Sequence, residues 1–352
     1  MPIVFVAGYK ELAGKTTICA ALGKVLQANG IRTDYLRASD ATEGESLQNA
    51  AFDQEFVSKA LSPTSQASSP DSLPVLPKNG GIEDFVAKIK GARSSAMQNE
   101  SAVTLIELPG ALDHVILPSV TSAAHELDAQ IIVVVKYHQK LSGQDLVSLL
   151  GPTVEKVAGV ILNAIPRKLF TRRSMALLSS FEVAGFSVLA VLPEDRALCG
   201  FTIGQLAEEL GAEFICLPEK AEVLIENVML GANAADPAFT YFSPKPNKAV
   251  FCRSDRPDIQ LAALDTETRC LVLTGSGRYQ QGLVYRAEDL GVAVLRVSSD
   301  TFSTIMALDN IFPKVKFRQA EKVARAVGLL SETGDIPRLV QLISSSSVSP
   351  SY

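Results

Sequence analysis

"IVFVAGYKELAGKTTICAALGKVL", residues 3–26, is the stretch that decides the fold. Residues 3–7 are apolar and rich in β-branched or aromatic side chains, and the run stops at Gly8. A loop then closes on Gly14-Lys15-Thr16-Thr17, and a run with helical apolar spacing follows. The pattern reads as strand, phosphate-binding loop, helix. Backbone N–H groups of a glycine-rich turn and the positive end of the next helix make an anion cradle. Lys15 is expected to reach the β- and γ-phosphates of ATP, and the Thr16 hydroxyl to hold Mg2+. The usual loop has four residues between its glycines, and here there are five, residues 9–13. That spacing poses the question of whether the site works, has another job, or is a relic.

The 352 residues suit two domains with linkers. The chain is 47% hydrophobic and 20% charged, which is a soluble globular composition. Its net charge of −5 offers no field for nucleic acid or an anionic membrane. No apolar run reaches the ~18 residues of a membrane span, and no cleavable signal opens the chain. The five cysteines (19, 199, 216, 252, 270) form no CxxC pair and read as reduced, buried core residues of a cytoplasmic protein. The three histidines lack ligand spacing, so a His/Cys metal site is not expected.

Strands are expected at 2–7, 32–37, 103–108, 130–136, 157–163 and 187–192. Helices are expected near 15–29, 44–60, 82–99, 116–126, 142–150, 171–184 and 203–210. The alternation implies βαβ units and a mostly parallel sheet with helices on both faces, with 103–108 and 130–136 at its buried centre. Residues 62–81 are rich in Ser and Pro and read as a mobile surface loop, either a plain insertion or a lid; the tail 344–352 reads as disordered. A strand "EFICL" and a helix around 220–232 lead to a second α/β unit. It has strands at 248–252, 269–274 and 291–297 and helices near 256–264, 279–290 and 300–309. Helices near 318–329 and 335–343 close the chain. The expected division is a nucleotide-binding domain 1–215, a regulatory domain 216–312 and a C-terminal helical segment 313–343.

A triphosphate site needs carboxylates for its metal. Glu107 ends the strand "VTLIELPG", where the next parallel strand would deliver an acid beside the phosphate loop. Asp53 follows the second strand, with Asp40 as a nearby competitor. Thr16, Asp53 and Glu107 are the expected metal set. Asn163 ends "GVILN" and is either a nucleotide contact or a turn residue before Ile-Pro.

Five residues before Gly-Lys-Thr, Glu107 with Pro-Gly, Asn163 with Ala-Ile-Pro, and "LPEDR" (192–196) together resemble dethiobiotin synthetase and its relatives. "CRSDRPDIQLAAL" (252–264), "CLVLTGSGRY" (270–279), "GVAVLRVSSDTFSTI" (291–305) and "VKFRQAEKV" (315–323) resemble the DRTGG domain. The tandem is similar to the regulatory region of long phosphotransacetylases and to the phosphotransacetylase-like family, over residues 1 to about 330. The resemblance implies a P-loop NTPase-like α/β domain with Asn163 reading the adenine edge, followed by a smaller α/β regulatory domain. It also implies a homodimer: Lys10 sits at the offset of the signature lysine of dimerising deviant P-loop ATPases, although the Gly-Gly around that signature is missing. An exposed loop lysine is the alternative. Two departures stand out. Dethiobiotin synthetases carry Lys-Pro after the second strand to contact the diamine; here Arg37-Ala38 stand there, and arginine does not replace a lysine of tunable pKa. The acetyltransferase domain of phosphotransacetylases would need some hundreds of residues beyond 330, so these residues are not expected to transfer acetyl groups by themselves.

In the second domain, Asp255 is expected to cap the helix that starts at Pro257, with Arg256 pairing with an acid or binding an anion. Asp300 and Thr301, in the hydroxyl-rich "SSDTFSTI", are expected at the same edge, which would take a small effector or form an interface. "TGSGRY" lacks the third glycine of a dinucleotide site and reads as a turn.

Three functions remain open on these residues. One is an ATP/Mg2+-binding regulatory or assembly protein that senses an effector or recruits a protein partner. Another is an ATP-dependent ligase, and the last is a scaffold that no longer holds ATP. Lys15→Ala is expected to abolish ATP binding and leave the fold intact, as an exposed loop lysine contributes little to stability.

Overall fold

The computed structural model describes residues 2–40, 45–62, 73–78, 81–96, 102–231, 235–308, 311, 315 and 317–344. The chain forms two compact units, residues 1–194 with 317–352, and residues 195–316.

The first unit runs β1 (Ile3–Gly8), α1 (Lys15–Ala28), β2 (Arg32–Arg37), α2 (Glu45–Leu61), α3 (Glu83–Ala96), β3 (Ala102–Glu107), α4 (Leu117–Glu126), β4 (Ala129–Lys136), α5 (Gly143–Leu150), β5 (Val157–Ile165), α6 (Phe170–Val183) and β6 (Val188–Pro193). Its six strands are parallel in the order β2-β3-β1-β4-β5-β6. Every residue of β1 is buried, as expected of a central parallel strand covered on both faces. Phe5, Ile106, Val133, Leu162 and Phe181 belong to one buried cluster. Each such side chain contributes roughly 1.5–3 kcal/mol by leaving water. Register places Val6 of β1 beside Glu107 of β3, and Arg37 of β2 on its other side. The phosphate loop and the β3 acid therefore emerge together at the C-terminal ends of adjacent strands.

The second unit runs α7 (Arg196–Cys199), β7 (Phe201–Thr202), α8 (Ile203–Leu210), β8 (Glu213–Cys216), β9 (Leu224–Ile225), β10 (Asn227–Leu230), α9 (Ala235–Phe242), β11 (Lys248–Arg253), α10 (Pro257–Leu264), β12 (Thr268–Thr274), α11 (Gln281–Asp289), β13 (Ala293–Val297) and α12 (Thr301–Leu308). Its sheet has the order β10-β11-β12-β13-β8, with only β8 antiparallel. The helix expected at 220–232 is absent. Residues 227–230 alternate buried and half-buried and pair with β11, so a period of two prevails over the apolar content.

Two helices, α13 (Ala320–Thr333) and α14 (Ile336–Ser344), return to the first unit. The boundary expected at 215 lies at 194, and the C-terminal helices are not a separate segment. The stripe Val323, Ala326, Leu329 and Leu330 is buried because α13 packs on α1 and β6. The Asp335 N–H donates to the Leu189 carbonyl at 3.0 Å.

Much of the loop expected at 62–81 lies outside the described residues (63–72 and 79–80), as does the tail from 345. Residues 73–76 are held rather than loose. The Ser39 N–H donates to the Pro74 carbonyl and the Leu76 N–H to the Ser39 carbonyl, both at 2.9 Å, and Leu73 and Leu76 are buried. Cys199 is exposed, against the expectation of a buried core thiol, because it ends the one-turn helix α7 at the surface; the other four cysteines are buried.

Candidate functional site

The loop between β1 and α1 turns on Gly14, which has φ +91° and stands at the head of α1 without any side-chain cap. Glycine is required there for two reasons. A side chain is strained at that φ, and a Cβ would lie 2.5 Å from Asn163 Nδ2. Gly8 admits a close approach: a Cβ would meet the Lys10 carbonyl at 3.0 Å and Lys15 Cδ at 3.3 Å. The uncapped first turn leaves N–H groups of α1 directed at the space beside the loop.

Lys15 is buried, at 8% exposure, and its ammonium donates to the Gly110 carbonyl just beyond β3. It is not the exposed lysine expected from its loop position. Burial lowers its pKa, and Glu107 pulls in the opposite direction. Thr16 Oγ1 donates to Glu107 Oε1 at 2.8 Å, and Thr17 is half-buried in the same turn. Glu107 itself is 1% exposed. Its Oε1 also forms an ion pair with Arg37, and its Oε2 accepts from the Tyr35 hydroxyl at 2.6 Å. Tyr35 and Arg37 are two apart on β2, so both side chains meet the acid on one face of the sheet. Burial opposes the Arg37 charge, but Glu107, Tyr35, Asp53 and Cys19 together raise its pKa above the usual value. The buried Gln54 ties α2 to β2: its Oε1 accepts from the Arg37 N–H at 2.5 Å, and its amide donates to the Tyr35 carbonyl at 2.8 Å.

Asp53 faces this cluster from α2. Burial raises its pKa, against the lowering pull of Arg318 and then Arg37. Arg318 Nε donates to Asp53 Oδ1 at 3.1 Å. Asp40, the competing acid, is exposed beyond β2. Magnesium takes hard oxygen ligands and keeps several waters. The Thr16 hydroxyl and the Glu107 carboxylate supply such oxygens beside the loop, Asp53 offers a further carboxylate from α2, and these donor types fit that ion. Among the described residues, no cluster of three or more His, Cys, Asp or Glu is arranged for a metal.

Asn163 Nδ2 donates to the Ala13 carbonyl at 2.8 Å, and its Oδ1 accepts from the Ala164 N–H at 2.9 Å. It thus braces the back of the loop. Lys10 is exposed, with its ammonium 5.9 Å from the centre of the Tyr9 ring, which stacks on His138 at 6.5 Å. Tyr35, Gln54, Gly110 and Arg318 went unnoticed in the sequence. The alternation of Tyr35 and Arg37 could have revealed the first of these; Gly110 and Arg318 lie within quoted motifs that do not point to these contacts, and no local pattern marks Gln54.

In the second unit, α10 begins at Pro257 with Arg256 at its cap position and no side-chain cap. Asp255 does not cap it as expected, because its carboxylate is taken by Arg253 at 2.9 Å, a bond that lowers its pKa. Arg256 pairs with Asp258 at 2.7 Å. Asp300 caps α12, accepting from the N–H groups of Phe302 and Ser303 at 2.9 and 3.0 Å. Thr301 Oγ1 lies 2.6 Å from Thr274 Oγ1, and Ser254 Oγ donates to the Thr274 carbonyl at 3.0 Å. These hydroxyls knit together the C-terminal ends of β11, β12 and β13.

No helix among the described residues is long and apolar enough to cross a membrane. Solved structures similar to this chain include the MinC:MinD cell division complex of Aquifex aeolicus, at 17% identity over 56% of this chain and 84% of that chain, TM-score 0.40. MinD of Aquifex aeolicus is similar at 18% identity over the same shares, TM-score 0.37. The CBS and DRTGG domains of the Clostridium perfringens pyrophosphatase regulatory region, complexed with the activator diadenosine tetraphosphate, are 12% identical over 43% of this chain and 73% of that chain, TM-score 0.30. At these scores the likenesses are distant. Family profiles match two parts of the chain: an AAA domain at residues 3–200 and a DRTGG domain at residues 205–311. The first covers more than half of the chain, so the protein belongs to the AAA-domain family, with a DRTGG domain following in the same chain.

Proposed function

We propose that the protein is an ATP- and Mg2+-binding regulatory or assembly protein, in which nucleotide at the P-loop domain is coupled to a small effector or a protein partner at the DRTGG domain. The observation that carries the reading is the pairing of Thr16 with Glu107 at 2.8 Å beside the buried Lys15, at the uncapped head of α1. Gly8, Gly14, Lys15 and Thr17 would cradle the phosphates, with Asn163 bracing the loop. Thr16, Asp53 and Glu107 would hold Mg2+, which supplies charge neutralisation for the β- and γ-phosphates. The protein's own share is to fix the loop, keep Lys15 out of water and hold Thr16 against Glu107.

The ligase reading has less support. Arg37, at the position where a substrate-binding lysine stands in dethiobiotin synthetases, is engaged with Glu107 and is 16% exposed. Both Glu107 oxygens already accept or pair, which leaves it poorly placed to act as a base. A homodimer in which Lys10 reaches the partner's nucleotide is the assembly we favour, in the cytoplasm, where ATP and reduced thiols coexist. Calorimetric titration of Mg2+-ATP tests the site. Sedimentation with and without Mg2+-ATP tests the assembly, and a mass unchanged by nucleotide would count against it.

A further inference from the structure

The carboxylate on the metal side of the site already has an occupant from the far end of the chain. The second unit ends at Lys316, so Phe317 and Arg318 are the first residues of the returning strand of chain. Four contacts seat them on α2. The Arg318 guanidinium bonds Asp53 through Nε at 3.1 Å and reaches the Asn49 carbonyl through Nη2 at 3.3 Å. Its Cζ lies 5.0 Å from the centre of the Phe52 ring. The Phe317 ring meets Phe56 edge-to-face at 6.0 Å. Asp53 and Arg318 are only 20% and 24% exposed, so the pair is partly shielded from competing water and salt.

We propose that Arg318 is a latch: it occupies Asp53 when no metal is present, and the binding of Mg2+-nucleotide displaces it. The inference rests on the proposed nucleotide site. The physical basis is competition for one carboxylate. The guanidinium takes Asp53 Oδ1 and places a positive charge beside it, and that charge repels a divalent cation approaching the same carboxylate. Breaking the pair removes the Arg318 guanidinium from the Phe52 ring and loosens the segment that leads into α13, which packs on α1. The latch lies at the point where the chain re-enters from the DRTGG domain. Seating of Arg318 on Asp53 and binding of Mg2+-nucleotide oppose one another. By reciprocity, Mg2+-nucleotide would loosen the returning segment.

The test is calorimetric titration of ATP, once with Mg2+ and once with EDTA, into wild type, Arg318→Gln and Arg318→Lys. The expected result is that Arg318→Gln binds Mg2+-ATP about fivefold tighter than wild type, as expected for loss of one partly exposed competing ion pair, while ATP with EDTA binds both alike. Arg318→Lys should fall between them, because the point charge survives and the fork does not. Hydrogen exchange of residues 317–323 in wild type should accelerate with Mg2+-ATP and not with ATP in EDTA. Equal Mg2+-ATP affinities for wild type and Arg318→Gln would overturn the latch while leaving the nucleotide site standing. Weaker binding by Arg318→Gln would also overturn it, by making Arg318 a support of the site. No heat from any of the proteins would overturn the nucleotide site and the competition together.

Discussion

Asn163, at the end of β5, donates its amide to the carbonyl of Ala13, 150 residues away, and so fixes the last turn of the phosphate loop from behind. The same amide stands 2.5 Å from where a Gly14 Cβ would be, at a φ of +91° that disfavours any side chain. Gly14→Ala should therefore be destabilised by about 1–3 kcal/mol and lose ATP binding, since either the loop or Asn163 must move. Urea denaturation with the parallel titration checks this. A variant with normal stability and normal affinity would show that the loop is not braced as described.

The buried pair Arg37–Glu107 yields a stability prediction. Arg37→Met leaves Glu107 buried with only neutral hydrogen-bond partners, with Asp53 in its field and the Lys15 ammonium as its remaining cationic neighbour. The expected loss is roughly 3 kcal/mol, the cost of leaving one charge of a buried pair uncompensated. Arg37→Met with Glu107→Gln should recover much of that loss, because the uncompensated charge is then gone. A double variant no better than the single one would contradict the pairing.

Thr16→Val keeps the shape of the first turn and removes the hydroxyl that bonds Glu107. ATP affinity should then depend little on Mg2+, while binding in EDTA stays close to wild type. Titrations with and without the metal measure it, and an undiminished Mg2+ dependence would remove Thr16 from the metal set.

Lys248, at the start of β11, is fully buried, and its ammonium has no hydrogen-bond partner among the described residues. Burial lowers its pKa to about 8 from 10.5, with Glu267 pulling it back up. Below pH 8 both folded and unfolded chains carry the proton, and the full penalty applies. Between pH 8 and 10.5 the unfolded chain binds more protons than the folded one, so this group makes stability rise with pH. Lys248→Met should flatten that rise and be the more stable protein at pH 7. Thermal melts of both proteins across this range decide it, and parallel pH curves would contradict the buried, unpaired ammonium.

The alternation of β-rich and helical stretches made the six-stranded sheet legible, because the strands of the first unit are short and, apart from the edge strand β2 (Arg32–Arg37), largely apolar. Glu107 was legible too, since β3 runs beside β1 and must end next to the loop. The helix expected at 220–232 failed because a short apolar run does not distinguish a strand from a buried helix, and pairing with β11 decided the matter. Asp255 was misjudged as a cap because a local arginine two residues earlier took its carboxylate. Nothing near Asp53 in sequence announces Arg318, whose partner lies 265 residues away and is brought there only by the packing of α13 on α1. Likewise, a loop lysine looks exposed until β3 delivers the Gly110 carbonyl that holds it.

The central claim is that residues 8–17 form a live nucleotide site. Its most direct test is titration of Mg2+-ATP into wild type and Lys15→Met, with denaturation curves showing that both are folded. The account predicts saturable heat from the wild type at one site per chain, and none from the variant. No saturable heat from a folded wild type, or equal binding by Lys15→Met, would contradict it.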